Sequence, residues 1–154
     1  MQVSNLGARQ ASLGLGQKYL TFVLDDVRYG IKVEHVVEII GVQRITRVPD
    51  SPGYVKGVIN LRGRVIPVVD VRLRFGLFER EHDSRTCIIV IRVPSGDVGL
   101  IVDTVQEVLD VATENIEPVP AMSASMEDVV AGMAKVADSV IILLSVERLV
   151  GART

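Results

Sequence analysis

The sequence predicts an all-β fold, and three observations support this prediction. The chain has 154 residues, 48% of them hydrophobic, which is enough for one domain to bury its own core. Its aliphatic residues are rich in Val and Ile, whose branched side chains suit a pleated sheet, whereas it has only three Tyr, three Phe and no Trp. About ten short apolar segments recur at intervals of roughly 8–12 residues between turn signals, a spacing typical of a barrel or a sandwich.

Four pairs of apolar segments, each interrupted by turn-forming residues, predict β-hairpins. Within a pair, apolar side chains either alternate with polar ones, as on a half-buried strand, or run without interruption, as on a fully buried strand. Gly63 supplies the positive φ that a tight hairpin turn requires. The predicted strand pairs are 19–24 with 29–33, 57–61 with 64–70, 86–93 with 98–102, and 129–136 with 140–144, and their turns lie at 25–26, 62–63, 94–97 and 137–139.

Residues 33–40 change to a helical period. Apolar side chains recur there at positions i, i+3, i+4 and i+7, Val36 among them, which predicts one apolar stripe facing the core. Glu38 then points outward on the polar face. We expect a helix of about two turns that ends near Gly41, followed by a further strand over 42–48.

Two further short helices are predicted from their capping residues. Asp70 precedes a segment that ends at Gly76, and Ser145 precedes the segment 146–150. Both are residue types that accept hydrogen bonds from the first turn of a helix. Pro67 cannot donate a hydrogen bond to a neighbouring strand, so we expect its strand to lie at a sheet edge or to carry a bulge.

An internal similarity bears on the architecture. Residues 63–70 and 96–103 both run from a glycine turn through an apolar strand to an aspartate. The similarity fits two alternatives: two similar small barrels packed together, or unrelated hairpins that share the same turn chemistry. In either case we expect Asp70 and Asp103 to end their strands as capping residues.

We expect one folded region over 18–150, flanked by an N-terminal arm at 1–17 and a short tail at 151–154. The arm is predicted to be flexible because it is rich in Gly, Ser, Ala and Gln, with few apolar residues. The sequence shows neither a secretory signal nor an apolar run of about 20 residues that could cross a membrane. Cys87 is the single cysteine and cannot form an internal disulfide, so a reducing, cytoplasmic setting is predicted.

The residues that could carry catalysis or bind a metal do not form a constellation. The sequence has no GxSxG motif, no Walker A loop and no GxGxxG after a strand. Its histidines, His35 and His82, lack partners at metal-ligand spacing, and Cys87 heads an apolar strand, where a small core residue is expected. Asp70 and Asp103 are explained by capping. We therefore predict no enzymatic activity, no metal and no cofactor.

The charges are segregated along the chain. The 17 basic and 19 acidic residues give a net charge of −2. Seven basic residues lie between Arg44 and Arg74, whereas eight acidic residues and no basic one lie between Val93 and Ala134. Such a dipolar surface favours oriented docking to other proteins. A nucleic-acid partner is disfavoured because the net charge is negative and few aromatic faces are available for stacking.

The region from about Tyr19 to Val150 resembles the CheW family of bacterial chemotaxis coupling proteins, and also the regulatory domain of CheA histidine kinases. The Asn-Leu-Arg-Gly element with Pro-Val-Val-Asp after it is the most specific part of the resemblance. The matching motifs are Tyr-Gly-Ile at 29–31, Val-Val-Glu-Ile at 36–39, Gly-Val-Ile-Asn-Leu-Arg-Gly at 57–63 and Val-Ile-Pro-Val-Val-Asp-Val-Arg at 65–72.

The resemblance implies two SH3-like five-stranded β-barrels that share a hydrophobic interface, and no catalysis. It also implies a bridge between the cytoplasmic tip of methyl-accepting chemoreceptors and a CheA-type histidine kinase, in receptor arrays at the inner membrane. The kinase-facing surface would lie on the other barrel. Receptor contacts carry over onto Val36, Glu38, Gly57, Asn60, Arg62 and Gly63, with Glu38 and Arg62 paired.

Residue chemistry also offers structural roles for several of these positions. Gly57 and Gly63 can serve tight turns, and Asn60 can bond the backbone of its turn. Val36 faces inward if the helical stripe is correct. Arg62 differs, because an exposed Glu–Arg pair adds only about 0–1 kcal/mol to stability, so binding explains this residue better than folding does.

Competing functions follow from the same observations. A CheW-like scaffold of a related receptor–kinase array, for example one serving twitching or gliding motility, is compatible with every motif. A small β-barrel that binds nucleic acid belongs to a different class, and salt-dependent retention on DNA would reveal it. A small hydrolase finds no nucleophile to support it.

Overall fold

The structure is a computed structural model that describes residues 16–120 and 124–151. These residues form eleven strands in two sheets, with a few short helices, so the all-β prediction is confirmed. The strands are β1 (Gln17–Leu24), β2 (Val27–Lys32), β3 (Val36–Gly41), β4 (Val55–Leu61), β5 (Arg64–Asp70), β6 (Cys87–Val93), β7 (Gly96–Val102), β8 (Thr104–Val111), β9 (Ile116–Glu117), β10 (Val130–Val136) and β11 (Ser139–Leu144), and the helices are α1 (Val71–Arg74), α2 (Ala124–Glu127) and α3 (Val146–Leu149).

Both ends of the chain contribute to one sheet, and the middle of the chain forms the other. Sheet one has the strand order β8-β1-β2-β11-β10-β9, and sheet two has the order β3-β6-β7-β5-β4. Each sheet contains one parallel pair, β2 with β11 and β5 with β7. Sheet one has six strands rather than the expected five, and within the described residues the outermost strands of each sheet are not hydrogen-bonded to each other.

A shared core lies between the sheets, and each sheet also encloses a smaller core of its own. The shared core includes Phe22 and Ile31 of sheet one with Ile89 of sheet two, all fully buried. Strand β6 is buried on both faces, since Ile89 contributes to the shared core whereas Ile88 belongs to the core of sheet two. A third cluster around Ile141 fills sheet one. This arrangement matches two packed barrel-like units with a hydrophobic interface.

The four predicted hairpins are confirmed as β1–β2, β4–β5, β6–β7 and β10–β11. Two of their turns take positive φ at both central residues. These φ angles are 50° and 67° at Asp25 and Asp26, and 52° and 85° at Arg62 and Gly63. Paired positive φ values match the right-handed twist of the flanking strands. Aspartate and glycine tolerate such φ values, whereas Arg62 is an unusual residue at this position.

The helix predicted over 33–40 is wrong. Only Val33–His35 forms a single 3-10 turn, and Val36–Gly41 is strand β3, paired with β6. A run of β-branched residues favours an extended chain, and pairing with β6, a distant and largely buried strand, outweighs the local helical period. The strand expected over 42–48 is also wrong, because this segment contributes one isolated bridge, between Thr46 and Val58.

The capping predictions are confirmed at two of three positions. The Asp70 carboxylate accepts a hydrogen bond from the Leu73 amide at the start of α1, and the Ser145 hydroxyl accepts one from the Arg148 amide in α3. Burial raises the pKa of Asp70 above its usual value. Asp103 does not cap a helix, since strand β8 follows it directly.

Asp103 instead belongs to a network of charges where the chain crosses from sheet two to sheet one; Arg72 and Asp103 are buried in it, whereas Asp25 and Arg80 are about half exposed. Its Oδ2 accepts hydrogen bonds from Arg72 Nη1 at 2.8 Å and from Arg80 Nη1 at 3.0 Å. The same Arg72 nitrogen donates to Asp25 Oδ1 at 2.6 Å, and the Asp25 amide donates to Asp103 Oδ2 at 3.3 Å. Because Asp25 lies in the turn of sheet one, Arg72 holds the two sheets together at this point.

Pro67 does not mark a sheet edge or a bulge in its own strand. Strand β5 lies inside sheet two, between β7 and β4, and Pro67 faces Val58. The pairing of β5 with β7 begins one residue later, at Val68, so no donor is required of Pro67 on that side. The bulge lies in β4, between Val55 and Gly57.

The predicted flanking segments lie almost entirely outside the described residues. Of the arm at 1–17, only Gly16 and Gln17 are described, and Gln17 already belongs to β1. Of the tail, only Gly151 is described. No helix in the described ranges has both the length and the apolar character needed to cross a membrane.

Candidate functional site

The candidate site is built on the turn that joins β4 and β5. The Asn60 side chain accepts a hydrogen bond from the Gly63 amide at 2.9 Å, which fixes the turn from within. A Cβ at Gly63 would meet open space, so glycine is required there by its φ of 85° and not by crowding. The turn presents Arg62 to solvent, with 68% of its side chain exposed.

Glu38 reaches Arg62 from the opposite edge of sheet two. Strand β3 is the first strand of this sheet and β4 is the last, yet Glu38 Oε2 accepts a hydrogen bond from Arg62 Nη2. The sheet must therefore curve until its two edges approach each other, as in a barrel. The pair expected from the family resemblance is present in the structure, and it lies where the curved sheet comes closest to closing.

Two of the expected site residues have structural roles instead of exposed positions. Val36 is half-buried and packs against the shared core, so the inward orientation is observed even though the predicted helix is not. Gly57 is buried, has a φ of 146°, and a Cβ there would lie 2.0 Å from the Thr46 carbonyl oxygen. Thr46 and Val58 exchange two backbone hydrogen bonds across this point, which leaves no room for a side chain.

A second set of arginines extends the positive charge along the same end of sheet two. The Asp97 carboxylate accepts hydrogen bonds from Arg92 at 2.8 and 3.1 Å and from Arg64 at 2.5 Å. Hydrogen bonds from Arg92 and then Arg64 lower the pKa of Asp97 from 3.8 to about 2. Both arginine side chains remain more than half exposed, so they hold Asp97 and still present positive charge to solvent.

Val65 is a residue of this surface that sequence reasoning missed. It is the direct cross-strand neighbour of Asn60, and it is 69% exposed. On β3, Val37 and Ile39 also face solvent. Their signal was hidden because apolar residues occupy both faces of β3 and β5, so the sequence does not show which ones point outward. The exposed valine gives the site an apolar contact beside the Glu38–Arg62 pair.

The described residues contain no group of three or more His, Cys, Asp or Glu side chains placed to bind a metal. The arrangement of the site is that of a contact surface: a rigid turn, one exposed cation held by a carboxylate, and an exposed aliphatic side chain. Such a set can bind a protein partner through a charged and an apolar contact together.

Comparison with known proteins agrees with this interpretation. Residues 18–153 match the family described as CheW-like domain. The chemotaxis protein CheW of Klebsiella aerogenes is 33% identical over 139 residues, which cover 90% of this chain and 84% of that protein. The chemotaxis protein CheW of Helicobacter pylori is 31% identical over 157 residues, which cover 96% of this chain and 95% of that protein.

The fold agrees as well. The crystal structure of the scaffolding protein TtCheW from Thermoanaerobacter tengcongensis matches this structure with a TM-score of 0.83 and 34% sequence identity. The match covers 90% of this chain and 95% of that chain. Together, the family match, the near full-length relatives and the shared two-sheet architecture show that this chain belongs to the CheW family of chemotaxis proteins.

Proposed function

We propose that this chain is a non-catalytic adaptor that couples the cytoplasmic tips of methyl-accepting chemoreceptors to a CheA-type histidine kinase. It would act in the cytoplasm, at receptor arrays, and reach the membrane only through the receptors. Support comes from the chemotaxis and scaffolding names of its relatives and from the contact surface on sheet two.

The observation that carries the proposal is the Glu38–Arg62 pair on a rigid turn. A guanidinium has five N–H donors, so Arg62 keeps donors for a partner while Glu38 orients it. The pair contributes little to stability because Arg62 is largely exposed. Its position beside Asn60 and Val65 therefore favours a role in binding.

We propose Glu38, Asn60, Arg62, Gly63 and Val65 as the receptor-binding surface. Glu38 is half-buried in it, not outward-facing as its helical position predicted, and the other four residues are exposed. Val36 and Gly57 support it from beneath, because one packs into the shared core and the other allows β4 to approach Thr46. A substitution at either would weaken receptor binding indirectly, by moving β3 or β4. The kinase would bind elsewhere on the chain, since a bridge needs two separate surfaces.

Co-sedimentation with a receptor signalling tip and with the kinase regulatory domain, each alone and then together, tests the proposal. The wild-type chain should sediment with each partner and recruit the kinase domain to the receptor. Arg62→Ala should weaken receptor association about 30-fold, the loss typical of an interface anchor, while the melting curve stays nearly unchanged.

Lys135→Ala is the matched control, because Lys135 forms an exposed ion pair with Glu117 on sheet one, at 2.9 Å. This variant should leave receptor binding intact. If Arg62→Ala unfolds the domain, the Glu38–Arg62 pair is structural and the assigned surface is wrong. Binding to only one partner would reduce the bridge to a protein with a single ligand.

A further inference from the structure

Charged side chains lie together at one end of the core of sheet two. Side chains at alternate positions of a strand point to the same face of a sheet. Apolar residues of β3, β5, β6 and β7 pack into this core, and charged residues continue the same faces of these strands toward the end that carries the β4–β5 turn. These charged residues are Glu38 on β3, Arg64 on β5, Arg92 on β6 and Asp97 on β7, and Arg62 in the turn joins them through Glu38.

Arg64 and Arg92 lie side by side on one carboxylate. Asp97 Oδ2 accepts a hydrogen bond from Arg64 Nη2 at 2.5 Å and from Arg92 Nη2 at 3.1 Å, so both guanidinium groups contact the same oxygen. The Asp97 side chain is only 4% exposed, whereas those of Arg64 and Arg92 are 56% and 64% exposed. The carboxylate therefore lies beneath the two cations, and the cations face solvent.

The positive charge at this place is not fully compensated. Glu38 neutralises Arg62, but Asp97 alone serves both Arg64 and Arg92. Within the described ranges, neither of these two arginines has a second carboxylate within 4 Å. One net positive charge therefore remains on two adjacent and largely exposed guanidinium groups.

The free donors of the two arginines match a carboxylate. A guanidinium has five N–H donors, and Asp97 occupies only Nε and Nη2 of Arg92 and Nη2 of Arg64. Adjacent planar groups with unused donors bind carboxylates through paired, charge-assisted hydrogen bonds. One carboxylate carries the single negative charge that would balance the site, whereas a phosphate dianion would leave an excess of negative charge.

We propose, on the basis of the proposed adaptor function, that Arg64 and Arg92 form a carboxylate-binding site that extends the receptor-binding surface. The chain then binds best to receptor tips that carry an acidic side chain opposite this site. Arg64 directly precedes Val65 and is two residues from Arg62, so one partner can contact all three. Asp97 is a positioning residue, because it orients both arginines from beneath.

Calorimetric titration of the full-length chain with a receptor signalling tip tests the proposal. Arg64→Ala and Arg92→Ala should each weaken binding about tenfold, and Arg64→Glu, which reverses the net charge of the site, at least about 30-fold. Lys135→Glu is the matched control, because Lys135 is also 64% exposed but lies on sheet one, and it should change binding less than about twofold.

Two further measurements separate binding from folding. Asp97 keeps one arginine in each alanine variant, so both variants should remain folded in thermal melts and should still capture the kinase regulatory domain. Raising the salt concentration from about 0.1 M to about 1 M should weaken receptor binding by the wild type more than by Arg64→Ala. Loss of folding in both alanine variants, or equal salt dependence, would show that the arginines only support the fold.

A double-mutant cycle identifies the group that is bound. Receptor tips are prepared in which one exposed Asp or Glu at a time is replaced by its amide. One of these replacements should weaken binding to the wild type about tenfold but binding to Arg64→Ala less than about twofold, because both changes remove the same contact. If no acidic residue of the tip is coupled to Arg64, the proposal is wrong.

Other outcomes would also overturn the site. Excess inorganic phosphate at constant ionic strength should not displace the receptor tip, and its displacement from the wild type but not from Arg64→Ala would indicate a phosphate site instead. If Arg62→Ala weakens receptor binding while Arg64→Ala and Arg92→Ala do not, this site is wrong and the adaptor function stands. If the wild type fails to bind the receptor tip at all, both proposals are wrong.

Discussion

Replacing Arg72 by methionine should destabilise the domain strongly, because this residue ties the two sheets together through buried charges. The side chains of Arg72 and Asp103 are each only 10% exposed, and they are 2.8 Å apart. Removing one partner of a buried ion pair leaves the other charge uncompensated, which costs about 3–5 kcal/mol. Asp103 keeps Arg80, so we expect the lower end of this range, about 3 kcal/mol.

Urea unfolding measures this loss directly. For a domain of this size an m-value of about 2 kcal/mol/M is typical, so Arg72→Met should lower the unfolding midpoint by about 1.5 M. The stability of small domains is about 5–15 kcal/mol, so the variant should still fold. Lys135→Met is the control: it removes an exposed ion pair and should change stability by less than about 1 kcal/mol.

A double-mutant cycle separates the pair from its surroundings. Arg72→Met combined with Asp103→Asn should be less destabilised than the sum of the single variants by at least about 1 kcal/mol, since the second change removes the charge that the first leaves unpaired. A loss below about 1 kcal/mol for Arg72→Met alone, or strict additivity in the cycle, would refute the reasoning.

Two further predictions concern sheet two. The pKa of Asp97 is about 2 in the folded state, below its usual value of 3.8. The ionised carboxylate therefore stabilises the fold above pH 3.8, and this stabilisation is lost as the pH falls from about 4 through about 2. At about 1.4 kcal/mol per pKa unit the contribution is at most about 2.5 kcal/mol, and solvent around the exposed arginines reduces it. Asp97→Asn should remove this pH dependence from urea melts recorded between about pH 2 and 5. Gly57→Ala should lower the free energy of unfolding by at least about 2 kcal/mol in thermal or urea melts, because the added Cβ would collide with the Thr46 carbonyl. Gly53→Ala is the control and should have little effect, since a Cβ there meets open space. Equal losses at both glycines would contradict the close approach at Gly57.

Local chemistry explains which parts of the fold were predictable. The turn at Arg62-Gly63 and the cap at Asp70 depend on residues within three or four positions, so the sequence carries the necessary information. Strand β3 does not follow this rule. The spacing of its apolar residues fits a helix, but the segment forms a strand because it pairs with β6, where Val36 lies opposite Ile91, 55 residues away.

The candidate site likewise combines local features, which the sequence predicts, with long-range contacts, which it does not. Glu38 and Arg62 were expected together from the family resemblance, and no local pattern brings opposite edges of a sheet into contact. Asn60 could be expected to bond its turn, and it does. Val65 was missed because only the assembled sheet distinguishes its outer face from its inner face. Gly57 was expected either at a receptor contact or at a tight turn. It is buried with a positive φ, and its lack of a side chain is required by Thr46, eleven residues earlier.

The order of strands has a consequence for synthesis on the ribosome. Sheet two uses the continuous stretch from β3 to β7, so all of its strands are available once residue 102 has emerged. Sheet one cannot be completed until β11 pairs with β2, more than a hundred residues earlier in the chain. The nascent chain should therefore form the unit that carries Arg62 first, while β1 and β2 wait for the C-terminal strands.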